Sequence, residues 1–342
     1  MAANAVHHPF AAIGNAGDVL EIADGIRWVR MPLPFALNHI NLWLLRDGEG
    51  WTVVDTGIAR PEVQAHWRRV LEEVGEGRPI HRTIVTHFHP DHLGNAGWFS
   101  EAYGTDLWIT HEEWLMGRLL AIDATEATEE ATVDFYRRCD VEPENIFELK
   151  NRGAEYNKMV TSIPRRFRRM HEGDRIDIDG FEWEVITGFG HAPEHACLYC
   201  EERRLLLSGD QILPRITPFV GVHPMEPEAN PLARFLDSLT KFRRLHRETL
   251  VLPAHELPFT GVLDRIEVMR EHHEERLEVL HRACARPMTA RAGVDVLFRR
   301  ELDAQNLRLA TNETLSHLNM LIARGEMERA VRGDGVWEFG SR

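Results

Sequence analysis

The most constraining feature of this sequence is a dense run of histidine and aspartate, Thr86–His92, that directly follows the apolar residues Ile84 and Val85. A regular strand or helix could not turn four neighbouring side chains toward one point, whereas a loop at the end of a strand can. Imidazole nitrogens together with a carboxylate suit zinc, and also iron or manganese. The run therefore predicts a strand that ends in a metal-binding loop. Its four potential ligands are His87, His89, Asp91 and His92.

Three later positions have the same context, because each follows a segment with the pattern of a strand. They are His191, Asp210 and His255. A single histidine or aspartate at a strand end is a weak signal. Ligand sites in layered α/β folds, however, collect at strand ends. The four strand ends together predict one common site.

The spacing of apolar residues predicts an α/β fold for most of the chain. Short strands such as 40–45 and 51–55 alternate with helical stretches such as 61–74, an order typical of helices packed on sheets. We expect a catalytic domain over 1–261 with a helical insertion at about 111–165. A linking helix is predicted over 262–285. Residues 286–342 are predicted to form a winged-helix-like unit, with helices from about 289 and from about 311 to 324, and a hairpin around Gly333–Gly335.

Charge and composition limit the classes of partner that the protein is expected to bind. The chain has 342 residues with 40 Lys and Arg against 54 Asp and Glu, a net charge of −14, which disfavours binding to nucleic acid or anionic lipid. The second helix of the C-terminal unit also lacks the basic surface that reads a nucleic-acid groove, so this unit is interpreted as a packing or homodimer element. Four cysteines fit a reducing compartment, and no apolar run reaches membrane-spanning length. We therefore expect a cytoplasmic protein without a membrane partner.

With these residues in place, the sequence resembles the metallo-β-lactamase-fold superfamily, in its glyoxalase II-like and LACTB2-like branch, from about Ile26 to Phe259. The C-terminal unit is similar to the winged-helix-like tail of LACTB2-like members. The resemblance implies a four-layer αβ/βα sandwich with a dinuclear metal site between the sheets. It implies that Asp210 bridges the ions and that Asp55 supports the metal loop by hydrogen bonding. It also implies that one ion is held by His87, His89 and His191, and the other by Asp91, His92 and His255.

The types of residue at the ligand positions distinguish between branches of this superfamily. True zinc β-lactamases have a cysteine ligand, and none of the four cysteines of this chain occupies a matching position. Flavodiiron-type relatives have glutamate where this chain has His89. Both differences favour a hydrolase with two divalent metal ions, zinc in the first place and iron or manganese as alternatives. Cys197 and Cys200 form a CxxC motif, but strand spacing sends their side chains to opposite faces.

The expected reaction is cleavage of a thioester or an activated ester by a water that the two ions ionise, with Asp91 orienting that water and taking its proton. A thiolate needs little acid assistance on leaving. Glu194 and His195 could assist, although a solvated loop position is expected for them. Two alternatives stay open: a lactonase, or a phosphodiesterase or ribonuclease of the LACTB2-like kind; and a metal-binding protein without turnover.

The basic run Arg165–Arg169 bears on the substrate. One interpretation is a solvated basic face. The other is a clamp, formed by Arg166 and Arg168, for an anionic acyl carrier such as coenzyme A or glutathione, because arginine matches phosphate and carboxylate groups. The predicted partner is accordingly a small anionic acyl substrate. Several aromatic side chains are candidate pocket walls: Phe35, Trp98, Trp114, Tyr156 and Phe219.

Overall fold

A computed structural model describes residues 6–11, 14–35, 37–123, 125–146 and 156–342. The chain separates into two compact units. The first unit comprises Met1–Ile122, Glu155–Pro218 and Lys241–Ile266. The second unit comprises Asp123–Ala154, Phe219–Thr240 and Glu267–Arg342. The segment predicted as a helical insertion is thus shared between the two units, and the predicted domain boundaries at 261 and 285 stay predictions.

The described strands, in chain order, are β1 (Val19–Ala23), β2 (Ile26–Pro32), β3 (His39–Asp47), β4 (Gly50–Val54), β5 (Ile80–Ile84), β6 (Asp106–Thr110), β7 (Arg168–Met170), β8 (Arg175–Ile178), β9 (Phe181–Gly188), β10 (His195–Cys200), β11 (Leu205–Gly209), β12 (Leu250–Pro253), β13 (Met288–Thr289), β14 (Met327–Val331) and β15 (Trp337–Ser341). The α-helices with described bounds are α1 (Pro61–Glu73), α2 (Pro90–Leu93), α3 (Ala96–Tyr103), α4 (His111–Ile122), α5 (Glu126–Arg138), α6 (Tyr156–Met159), α7 (Pro231–Leu239), α8 (Val262–Ala283), α9 (Ala290–Leu297) and α10 (Ala304–Ala323).

Two sheets form the first unit. The seven-stranded sheet runs β1-β2-β3-β4-β5-β6-β7, with its first four strands antiparallel and the pairs from β4 to β7 parallel. The five-stranded sheet runs β12-β11-β10-β9-β8, and only its β11–β12 pair is parallel. Parallel pairs require a crossover, which α1 provides between β4 and β5 and α3 provides between β5 and β6.

The core of the first unit lies between the two sheets. Trp28, Trp43 and Ile84 of the first sheet pack with Trp183 and Leu198 of the second, and all are buried. On the other face of the seven-stranded sheet, α1 covers the strands with apolar residues at helical spacing, among them Val63, Trp67 and Val70. Burying apolar side chains on both faces of this sheet fixes its parallel strands in the interior, so their ends, rather than their faces, are available for a site.

The second unit contains a small three-stranded sheet in the order β13-β15-β14. Two helices of this unit, α9 and α10, have side-chain N-caps, Thr289 and Asp303, which accept hydrogen bonds from the backbone N–H groups of Ala292 and Asn306. The predicted start of the second helix at about 311 is wrong, because the Asp303 cap begins it at Ala304. The hairpin predicted around Gly333–Gly335 is present between β14 and β15.

Three other local predictions can be compared with the structure. The linking helix is α8, Val262–Ala283. The strand predicted before the histidine run is β5, Ile80–Ile84, which ends before Val85 because its pairing with β4 ends at Val54 and Ile84. Within the helical insertion predicted at about 111–165, residues 124 and 147–155 lie outside the described residues, and the rest contains α4, α5 and α6. Over the part of the chain that the structure describes, the helices are too short or too polar to cross a bilayer.

Candidate metal centre

Seven imidazole and carboxylate side chains meet where the strands of both sheets end. Two groups of potential ligands converge, with the ligand atoms of each group within 4.8 Å of one another: His87, His89, His191 and Asp210 form the first donor group, and Asp91, His92 and His255 form the second. The loop after β5 supplies the first histidines, and α2 starts within that loop. The β9–β10 connection, the end of β11 and the end of β12 supply the others.

The first donor group has the spacing of a metal coordination shell. His87 Nε2 lies 2.9 Å from His89 Nδ1 and 3.3 Å from His191 Nε2. Asp210 Oδ2 lies 3.4 Å from His191 Nε2 and 3.9 Å from His87 Nε2. Ligands bound tetrahedrally to zinc at about 2.0–2.1 Å are separated by about 3.4 Å. These residues therefore fit a cation at their centre.

The second donor group is joined to the first by Asp210. His255 Nε2 lies 3.4 Å from Asp91 Oδ2 and 3.5 Å from Asp210 Oδ1, and Asp210 Oδ2 lies 3.5 Å from His92 Nε2. Within the described chain, His92 Nε2 and Asp210 Oδ1 are buried without a hydrogen-bond partner. Buried polar atoms are normally satisfied, so these two atoms fit ligation of a cation.

Neighbouring groups fix the orientation of the imidazoles. Asp55 Oδ2 lies 2.7 Å from His92 Nδ1, and Asp55 Oδ1 accepts a hydrogen bond from the Thr86 backbone N–H. His87 Nδ1 contacts Thr86 Oγ1 at 3.0 Å, and His255 Nδ1 contacts the His39 carbonyl at 3.2 Å. Holding the second ring nitrogen leaves the first one directed at the centre. Asp55 takes a left-handed conformation, φ 61°, to reach both partners.

The two donor groups differ in how they bind protons. Burial lowers the pKa of His87 well below its usual range, and burial together with His191 lowers that of His89 to about 3. Burial also opposes charge on His255, but the carboxylates of Asp210 and Asp91 outweigh it and raise its pKa to about 10. The imidazoles of His87 and His89 are thus neutral and ready to ligate, whereas His255 must lose a proton when a cation binds.

His195 is not in a solvated loop, so that prediction is wrong for this residue. It is the first residue of β10 and fully buried, with its ring stacked on His87 at 4.8 Å. Its Nε2 accepts a hydrogen bond from the backbone N–H of Asp210 at 3.1 Å. Gly209 has φ 50°, and a Cβ there would lie 2.5 Å from His195 Nε2. Glycine is therefore required at the position that presents Asp210.

Two residues of the basic run, Arg168 and Arg169, lie on the edge strand β7. Arg166 and Arg168 are exposed. Arg168 pairs with Asp106 at 3.2 Å and lies over the Trp108 ring. Asp106 is the first residue of β6, whereas the donor groups lie beyond the opposite ends of the strands. The structure does not bring Arg168 to the donor groups, and a substrate role for Arg166 stays a prediction.

Sequence reasoning missed one buried acid beside the site, Glu113. Its carboxylate accepts hydrogen bonds from two backbone N–H groups in the loops that carry His87, His89 and His191. Burial raises the pKa of Glu113 to about 8, against these two hydrogen bonds, which lower it. An acid in the first turn of a helix is ordinary in sequence, so no pattern distinguished this residue from an exposed one.

The fold and this centre define the class of a metallo-hydrolase. The family model described as "Metallo-beta-lactamase superfamily" matches residues 37–255. The family model described as "Metallo-beta-lactamase-like, C-terminal domain" matches residues 277–342. The chain therefore belongs to the metallo-β-lactamase superfamily, and the predicted α/β sandwich and hydrolase class are confirmed.

Individual relatives agree with this assignment. The crystal structure of a β-lactamase domain protein from Burkholderia ambifaria is 42% identical, covers 98% of each chain and superposes with a TM-score of 0.92. A probable metallo-hydrolase of Bacillus subtilis, YqjP, is 26% identical and covers 90% of this chain and 96% of its own. The human protein named acyl-coenzyme A thioesterase MBLAC2 is 23% identical over 58% of this chain and 71% of its own length.

Proposed function

We propose that the protein is a metal-dependent hydrolase that cleaves a thioester or an activated ester of an anionic acyl carrier of the coenzyme A or glutathione kind. One observation carries the proposal: the two oxygens of Asp210 lie within 3.5 Å of ligand atoms in both donor groups. A carboxylate in that position can be shared by two cations. Family membership and the name of the MBLAC2 relative support the hydrolytic activity and the thioester.

The residues divide the work of binding the cations. His87, His89 and His191 would hold one ion, Asp91, His92 and His255 the other, and Asp210 both. Two divalent cations bound there lower the pKa of water and polarise a carbonyl oxygen. Zinc is the proposed metal because it prefers imidazole and carboxylate ligands and tolerates a sulfur leaving group; iron and manganese remain alternatives for the same donors.

His89 and Asp91 are only partly buried, whereas the other five donors are buried. Substrate would therefore approach past these two side chains. The Asp91 carboxylate, whose Oδ2 lies 3.4 Å from His255 Nε2, can orient the attacking water and hold the proton that it loses. The contacts with Thr86, Asp55 and the His39 carbonyl keep the imidazoles of His87, His92 and His255 from turning while this happens.

The acidity of the leaving group's conjugate acid favours a thioester over an amide as the substrate. A thiol has a pKa of about 8.5, so a thiolate departs at neutral pH without a proton donor beside it. An amide nitrogen needs one. Of the two residues considered for such a donor, His195 is buried with its Nε2 already accepting the Asp210 N–H, and the Glu194 carboxylate accepts the backbone N–H of Glu112. These contacts favour a substrate that requires no acid.

The test is a substrate panel on protein purified without added metal. We expect about two divalent ions per chain by elemental analysis, turnover of acyl-CoA or acyl-glutathione, and loss of turnover on chelation. Lactone, phosphodiester and RNA substrates complete the panel. Turnover of phosphodiesters or RNA alone would overturn the thioester assignment in favour of that alternative, and bound metal without any turnover would favour a binding protein.

The arginine clamp is tested separately. Replacing Arg166 and Arg168 together with alanine should raise KM for an anionic thioester and leave KM for a neutral ester unchanged, since only the carrier's charge is recognised. Arg175, another exposed arginine that pairs with Glu182 at 2.9 Å, provides the control as Arg175→Ala. If the double variant keeps the wild-type KM for the anionic thioester as well as for the neutral ester, the clamp is rejected.

A further inference from the structure

We infer that Glu113 is a positioning residue that sets the distance between the two ligand loops of the first donor group, and thereby the affinity of that group for its cation. The inference rests on the proposed function to the extent that the donor groups bind divalent cations. It concerns a residue that is itself no ligand. The contacts of Glu113 with both loops carry it.

The two oxygens of Glu113 bind two different loops. Oε2 accepts the backbone N–H of Phe88 at 2.8 Å, and Oε1 accepts the backbone N–H of Glu194 at 2.6 Å. Phe88 lies between the ligands His87 and His89, and Glu194 is three residues beyond His191. One fully buried carboxylate therefore connects the loop of the seven-stranded sheet to the loop of the five-stranded sheet.

The helix position of Glu113 makes this arrangement unusual. It is the third residue of α4, which begins directly after β6. A glutamate at this position commonly reaches back to the N-cap of its own helix. Here the side chain instead satisfies two amides outside the helix, so α4 and β6 act as a rigid support for both loops.

Neighbouring hydrogen bonds complete the support. Tyr156 Oη donates to the Phe88 carbonyl at 2.5 Å, so both the N–H and the carbonyl of Phe88 are hydrogen-bonded. Thr110 Oγ1 donates to the Glu194 carbonyl at 2.7 Å, and the Glu112 N–H donates to the Glu194 carboxylate at 3.2 Å. With these partners fixed, the separation of the two loops depends on the length of the Glu113 side chain and on its two acceptor oxygens.

The second donor group has no direct contact of this kind with Glu113 in the described chain. His92 is held by Asp55 and His255 by the His39 carbonyl. A change at Glu113 should therefore act on one of the two cations. Substitution of residues that orient metal ligands typically reduces metal affinity about 10–100-fold.

The experiment compares Glu113→Gln with the wild type and with Glu112→Gln, its exposed neighbour on the same turn. Glutamine keeps the shape but presents an NH2 group to one of the two amides, which then loses its acceptor. Zn²⁺ affinities are measured by chelator competition, together with the unfolding midpoint of the metal-free protein. We expect one of two Zn²⁺ equivalents to bind about 10–100-fold more weakly in Glu113→Gln only.

Two results would overturn the inference: unchanged affinity for both equivalents, or a lowered unfolding midpoint of the metal-free protein with unchanged affinities, which describes a purely structural residue. Glu113→Ala, which leaves both amides without an acceptor, should weaken the same equivalent at least as much. Binding of two Zn²⁺ ions by the wild type without hydrolysis of the substrate panel would contradict the proposed reaction and leave the role of Glu113 intact. A wild type that binds no Zn²⁺ would contradict both.

Discussion

The molecule buries histidines in two places, and the contrast shows what makes a metal centre. In the first unit, buried imidazoles face the carboxylates of Asp91 and Asp210. In the second unit, His273 Nδ1 contacts His317 Nε2 at 3.2 Å. The acid beside this pair, Glu313, has its Oε1 3.5 Å from Arg276 Nη1.

The charge around each cluster decides its chemistry. Asp91 and Asp210 have no arginine or lysine among their described partners, so a cation can neutralise them. Glu313 already has a cation in Arg276, and the Phe235 ring packs edge-on against the His273 ring at 5.7 Å. Buried histidines alone therefore do not indicate a metal site, whereas histidines that converge with unneutralised carboxylates do.

The largest expected effect comes from removing the shared carboxylate. Asp210→Ala should lower kcat/KM by at least about 100-fold, because two cations would then repel each other without a common ligand. Asp177→Ala, at an exposed aspartate, is the matched control. Steady-state kinetics on the best substrate of the panel give the result, and full activity in Asp210→Ala would contradict the bridging assignment.

Removing metal should lower the stability that depends on the histidine cluster of the first unit and leave the contribution of the His273–His317 pair unchanged. A cation at 100 times its Kd stabilises the folded protein by about 2.7 kcal/mol. The unfolding midpoint of the wild type should therefore rise on adding Zn²⁺ to chelated protein. The rise should persist in His317→Gln and shrink in Asp210→Ala. A similar rise in Asp210→Ala would mean that Zn²⁺ binds elsewhere.

A pH effect of intermediate size is expected at His317. Burial lowers its pKa to about 4 against an unfolded value near 6.5. Between these values the unfolded chain binds a proton that the folded chain does not, so stability falls as the pH falls. At pH 5 this loss amounts to about 2 kcal/mol relative to pH 8.

His317→Gln removes that proton uptake. Urea unfolding at pH 8 and pH 5, with chelator in all samples, should show the variant losing about 2 kcal/mol less than the wild type. Its stability at pH 8 reports the separate packing cost of the substitution. Parallel losses in the two proteins would show that His317 has an ordinary pKa.

The smallest effect is expected at His272. Its Nε2 accepts a hydrogen bond from Arg276 Nε at 2.9 Å, and the side chain is half-buried. His272→Gln should change the free energy of unfolding by about 1 kcal/mol or less and leave Zn²⁺ affinity unchanged. Chelator competition and urea unfolding measure both, and a loss of Zn²⁺ affinity would extend the metal centre beyond the seven donors.

The sequence reveals the donors that share a local pattern and conceals those that do not. His87, His89, Asp91 and His92 are close in sequence, and the strand before them explains why a loop follows. Their convergence with His191, Asp210 and His255 could be expected from strand ends alone. The grouping into two sets came only from family resemblance, because spacing does not say which loops meet.

Glu113 and His195 show the limit of that reasoning. Burial depends on tertiary contacts: β6 and α4 bring Glu113 under two loops, and the β9–β10 pair places His195 behind His87. An acid in the first turn of a helix and a histidine after a loop have the same local sequence whether buried or exposed. The end of α10 was anticipated, but its start was missed because the Asp303 cap lies outside the apolar pattern.

The distribution of donors over four loops has a consequence for biosynthesis. The run His87–His92 leaves the ribosome long before His191, an interval on the order of 5–20 s at ordinary elongation rates. During that time the nascent chain carries four donors without the residues that complete either group, and any cation it captures would be held in an open, exchangeable form. A metal ion can be bound stably only after His255 has been synthesised and both sheets have formed. The order of translation therefore delays stable metal binding until the protein has folded.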